Sequence, residues 1–144
     1  MKSPTHYYDQ ESSQASSPGV ARFHSSIAFA RALCAGYMAL IFYVSSLSQV
    51  PIPVLFHSQD FFLHMVEYSV LGYLLSMAFA STGLRRGIRL CAFLFTVLYG
   101  ASDELHQVFV PLRDPSLLDV TADALGGLLG MFVFHSSVNP DRRA

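Results

Sequence analysis

The stretch LLDVTADALGGLLGMFVFHSSV, residues 117–138, decides how the chain is read. A helix needs about 20 residues to cross the ~30 Å hydrocarbon core of a bilayer, and this run is long enough and apolar enough to do so. At 100° per residue, Asp119 and Asp123 share a face with Gly126 and Gly130. Ala122, Gly126 and Gly130 form a small-xxx-small ladder of the kind that lets membrane helices approach closely. Acid and packing seam therefore coincide on one helix.

Three similar runs precede it, Ile27–Leu47, Phe61–Ala80 and Ile88–Val110. Breakers separate them: Pro51 and Pro53, then Gly83 with Arg85, Arg86 and Arg89, then Pro111 and Pro115. Pro111 is expected to end the third helix at about Val110. A soluble helical bundle with buried helices would also show apolar runs, but it needs polar helix faces toward water, and these four segments supply none. The expected fold is all-α, an integral membrane bundle of four transmembrane helices over residues 27–138.

The rest of the chain agrees. Of 144 residues, 52% are hydrophobic and 13% charged, where soluble domains average about 25% charged. A net charge of -1 offers no basic field to nucleic acid. Cys34 and Cys91 lie far apart in apolar runs, so a disulfide framework or zinc knuckle is excluded, and both read as small buried hydrophobes. Residues 1–26 are too polar to offset their own ordering entropy and read as a disordered tail; residues 139–144 read as a second, short tail. No signal-peptide layout precedes Ile27, so the first span is expected to stay as an anchor.

Basic residues mark the cytoplasmic side of a membrane protein. With the N-terminus inside, Lys2, Arg22, Arg31, Arg85, Arg86, Arg89, Arg142 and Arg143 all fall on that side, against Arg113 alone outside. Both termini are expected in the cytoplasm, and the protein in the cytoplasmic membrane.

That orientation gathers the other ionisable groups into one outer layer. Asp60, His64 and Glu67 form a stripe at the start of the second span. Tyr99, Asp103 and His106 form another near the end of the third, with Gln107 close by and Glu104 turned about 100° from Asp103. A charge at the bilayer centre costs about 2.5–3.5 kcal/mol on insertion scales, so such groups face a bundle interior and mark function. Six acids and two histidines meet one nearby permanent cation, Arg113, which requires protonated carboxyls or a bound cation. Asp60 and Asp119 also read as helix N-caps, and Ser45, Ser46 and Ser48 as easing the first span out of the membrane.

Three chemistries fit these residue types. His64 and Glu67 with Asp103, Glu104 or His106 offer ligands to a divalent metal, although no HExxH-like signature singles out a set. An acid/base pair is the second, with His64 or His106 carrying the proton. Recognition is the third: acids hold the cationic or hydroxyl-rich head of a lipid, and Arg113 holds a phosphate or carboxylate.

The segments DFFLHMVEYSVLGYLL (60–75) and YGASDELHQVFVPLRDPSLLDVTADALGGLLG (99–130) resemble the VanZ-like membrane proteins of bacteria. The resemblance marks Asp60, His64, Tyr68, Asp103, Glu104, His106, Gln107, Arg113, Asp119 and Gly126. Two positions depart from the family's pattern, Phe61 in place of Lys and Asp123 in place of Asn, and both make the cluster more negative. The founding member is linked to resistance to teicoplanin, a lipidated glycopeptide acting outside the cytoplasmic membrane. The resemblance thus implies a membrane lipid or lipid-linked cell-wall precursor as partner, with glycopeptide tolerance as a consequence.

The expected working groups are Glu104, His106, His64 and Asp103 for acid/base or metal chemistry. Arg113, Asp60, Glu67, Tyr68, Gln107, Asp119 and Asp123 are expected to hold the substrate. A hydrolase or transferase, and a small transporter, are the alternative readings, and a homodimer through Ala122, Gly126 and Gly130 is a further expectation. Composition and spacing name no cofactor.

Overall fold

The computed structural model describes residues 18–48, 53, 56, 58–80 and 87–138. Its elements are four helices, α1 (Pro18–Ser45), α2 (Gln59–Ala80), α3 (Ile88–Gln107) and α4 (Leu117–Val138), with no strand among the described residues. Three of them are long and apolar enough to cross a membrane: α1 over Ser26–Ser45, α2 and α4. The 20 residues of α3 carry Arg89 at one end and Asp103 and Glu104 at the other.

Helix boundaries depart from the sequence reading in two places. Helix α1 begins at Pro18, so residues 18–26, read as the end of a disordered tail, are helical; proline's fixed φ suits a first helical turn, where its missing N–H costs nothing. Residues 1–17 and 139–144, the remainder of the expected tails, lie outside the described residues. Helix α3 ends at Gln107 rather than Val110, because the next amides tighten onto carbonyls three residues back: Phe109 N–H donates to His106 O at 3.0 Å and Val110 N–H to Gln107 O at 3.0 Å. Leu112 then takes a left-handed conformation, φ 65°, and turns the chain back into α4.

Helix α2 is the centre of the bundle. It packs most closely on α4, while α3 lies against both and α1 against α2. The α2–α4 seam is backbone on backbone: a Cβ on Gly72 would stand 2.8 Å from Cα of Gly127, and one on Gly126 or Gly130 would collide with Met65 O or Ser69 O respectively. The expected ladder of Ala122, Gly126 and Gly130 is therefore a packing seam, and α2 of the same chain lies against it. Beside the seam, Cys34, Ile41, Tyr68, Leu71, Leu74, Leu75 and Ala92 form the apolar core. Cys34 is buried as expected; Cys91 is exposed, on the outer face of α3 with Leu90, Leu94 and Leu98. Exposed leucines and phenylalanines on all four helices make a surface suited to lipid.

Candidate functional site

The seam sets the site. Gly126 brings α4 onto the Met65 carbonyl of α2, so the residue before Met65 and the residue one turn before Gly126 face each other. These are His64 and Asp123, and His64 Nδ1 lies 3.0 Å from Asp123 Oδ1. Helix α3 closes over the pair at Gly100, where an added Cβ would sit 2.5 Å from Asp123 Oδ2. Asp123 is in consequence fully buried.

One turn beyond Gly100, Glu104 points to the same place, its Oε1 3.9 Å from His64 Nδ1. Its other oxygen accepts the Ser116 backbone N–H at 2.8 Å, tying α3 to the start of α4. Gln107 Nε2 donates to Asp103 Oδ2 at 3.2 Å and lies 3.4 Å from Glu104 Oε1. The two carboxylates, expected on different faces of α3, are both buried and share one amide, because α2, α4 and the returning loop enclose α3 on more than one side. His64, Glu104 and Asp123 bring an imidazole nitrogen and two carboxylate oxygens within 4.8 Å of one another, a set that could hold a metal ion.

In front of this cluster is a cavity of about 940 Å³ between α1, α2, the end of α3 and the α3–α4 loop. Asp60, His64, Glu67, Asp103, Gln107, Arg113 and Asp119 all line it. Glu104, Asp123 and Tyr68 are buried and do not line it. Tyr68 is wholly buried, its ring parallel to that of His64 one turn away, and its hydroxyl has no partner. Asp123 Oδ2 and Asp103 Oδ1 are likewise buried without a hydrogen-bond partner.

Two expected members have other surroundings. His106 turns to α1, its Nε2 3.0 Å from Ser46 Oγ and its ring stacked on Phe42 at 4.5 Å, and it takes no part in the His64 cluster. Arg113 lines the cavity, but its Nε and Nη2 donate to Leu47 O at 3.0 Å, just past α1, and to Val44 O at 2.8 Å, in its last turn. A cation fits there because it meets the negative end of the helix dipole. The N-cap of α4 is Ser116, whose Oγ accepts the Leu118 N–H at 3.1 Å, and Asp119 is left to face the cavity.

Sequence reasoning missed Ser45, Tyr37 and Gly100. Ser45, read as easing the chain out of the membrane, lines the cavity with a buried hydroxyl that has no partner. Tyr37 lines it too and donates to Glu67 O at 3.1 Å. The signal for Gly100 was its place one turn before Asp103 and Glu104, where a helix carrying buried acids has to come close to its neighbours.

A family model described as VanZ/LLP1 matches residues 38–138, from the second half of α1 to the end of α4. The chain belongs to the VanZ/LLP1 family. No curated protein and no solved structure matches it. Every residue of the His64 cluster and all but Tyr37 of the cavity lining lie inside the part of the chain that is VanZ/LLP1. The apolar helices and the family together make it a membrane protein.

Proposed function

We propose that this VanZ/LLP1 protein binds the polar head of a cell-envelope lipid or lipid-linked precursor in the cavity, at the outer face of the cytoplasmic membrane. The carrying observation is a lining with Asp60, Glu67, Asp103 and Asp119 at its polar groups and Leu63, Val66 and Leu112 beside them. Carboxylates accept hydrogen bonds from hydroxyl and amine groups, while the aliphatic side chains suit the lipid part of the same molecule. Phe109, Leu112 and Leu117, each more than three-quarters exposed on and beside the α3–α4 loop, suit a mouth immersed in lipid.

In this reading all four helices span the membrane, α3 included, and both termini are cytoplasmic, in line with the distribution of basic residues. Tolerance to a lipidated glycopeptide such as teicoplanin would follow from competition for, or sequestration of, the same headgroup. A hydrolase or transferase is the second reading, favoured by the 3.0 Å contact of His64 and Asp123 beside the cavity. A transporter has less support, since the described core beyond the cavity is built from Leu71, Leu74, Leu75 and Ala92.

The test is mass spectrometry of lipids retained by the protein in mild detergent. A lipid with a hydroxyl- or amine-rich head should be enriched over an unrelated four-helix protein, and the Glu67→Gln/Asp103→Asn double variant should lose it. Equal retention by the two forms of the protein would sink the headgroup reading. Glu104→Gln separates binder from enzyme, because it keeps shape and hydrogen bonding: a binder keeps its lipid and its effect, whereas an enzyme keeps the lipid and loses turnover.

A further inference from the structure

We propose that His64, Glu104 and Asp123 form a binding site for a divalent first-row metal ion of the zinc or manganese type. Such a site requires no lipid and is independent of headgroup binding. Three helices each place one ligand atom there, α2 the Nδ1 of His64, α3 Oε1 of Glu104 and α4 a carboxylate oxygen of Asp123, all within 4.8 Å of one another. Zinc–nitrogen and zinc–oxygen bonds of about 2.0–2.2 Å put tetrahedral ligands roughly 3.4 Å apart. The observed His64 separations, 3.0 Å to Asp123 and 3.9 Å to Glu104, bracket that spacing.

A second observation points to a cation. Asp123 is fully buried and its Oδ2 has no hydrogen-bond donor. A buried carboxylate oxygen without a donor is costly, and a cation at bonding distance satisfies it. Arg113 does not serve, because its Nε and Nη2 are engaged by the Leu47 and Val44 carbonyls. Two buried carboxylates, Glu104 and Asp123, thus face one imidazole, and a dication balances them where the imidazole alone does not.

The surroundings hold the ligands as metal sites require. Ser116 N–H takes Glu104 Oε2 and leaves Oε1 turned toward His64, and the Gly126 and Gly100 contacts fix Asp123. One nitrogen and two oxygens disfavour calcium, which takes six to eight oxygens, and the absence of sulfur disfavours copper(I). Three protein ligands leave a coordination position for water or substrate.

The test uses the full chain, purified in detergent without a histidine tag, stripped with chelator and dialysed against Zn²⁺ or Mn²⁺. Elemental analysis should find one ion per chain, and X-ray absorption at the metal edge should show one imidazole with oxygen ligands. Asp123→Asn and Glu104→Gln should each weaken binding by more than about tenfold, and His106→Asn should not change it. The added ion should raise the thermal midpoint of the wild type and not of Glu104→Gln. A wild type that takes up no ion overturns the proposal. So does an ion bound without imidazole, or uptake unaltered in both carboxamide variants. The absorption spectrum decides on the wild type alone if the Asp123 variant fails to fold.

Discussion

Two successive stretches of α2 meet their neighbours in opposite ways. From Ser69 to Ser76 the helix lies against α4 backbone to backbone, with Gly130 under Ser69 and Gly127 opposite Gly72. From Asp60 to Glu67 the same helix faces a cavity of about 940 Å³ lined with acids. Along the seam the glycines leave no room for a side chain, and around the open stretch lie buried oxygens with no partners, those of Tyr68, Asp103 and Asp123 among them. The contrast shows where stability and chemistry reside: dispersion contacts along the glycine seam hold together a site whose polar groups are individually unfavourable.

The sharpest way to break this division is Gly130→Leu. Overpacking a core usually costs about 1–3 kcal/mol, and a Cβ that meets the Ser69 carbonyl leaves no side chain to yield. Loss of the folded species on size exclusion is the expected result, with no effect specific to the site. Tyr68→Phe should act in the opposite sense. Removing a buried hydroxyl without a partner should stabilise the protein by about 1–2 kcal/mol, read as a higher thermal midpoint, because the parallel packing of the ring on His64 is kept.

Arg113→Ala tests the link between α1 and the rest. It should cost about 1 kcal/mol by removing the cation at the α1 C-terminus. Arg113→Lys should not recover this in thermal unfolding, since one ammonium does not reproduce the fork that reaches both Val44 O and Leu47 O. Gly36→Ala marks the loose extreme. A Cβ there meets nothing within 4 Å, so better helix propensity should give a gain of up to about 1 kcal/mol. The same substitution at Gly126 should be strongly destabilising, and equal effects at the two glycines would remove the distinction between seam and open face.

Much of this was legible in the chain. The Ala122, Gly126, Gly130 ladder announced the seam, and the stripe of Asp60, His64 and Glu67 announced the cavity wall. Less was legible at the end of α3. Spacing placed Asp103 and Glu104 on different faces, and both are buried because α2, α4 and the loop returning through Leu112 to Ser116 close around the end of α3. The two histidines could not be ranked either, since His64 and His106 both lie among acids near helix ends. Packing assigns one to Asp123 and the other to Phe42 of α1 and to Ser46 just beyond it.

Residue order suffices to make this a helical membrane protein with most of its acids near one end of the helices, because the cost of polar groups in hydrocarbon depends on residue type and span length and not on which helices touch. Which of those residues meet is a matter of packing. That depends on the register of two helices at near-contact distance, set by glycines whose missing side chains carry no sign of the partner they will lie against. His64, Glu104 and Asp123 come together because Gly126 and Gly100 let three backbones approach, and no spacing within a single helix encodes that approach.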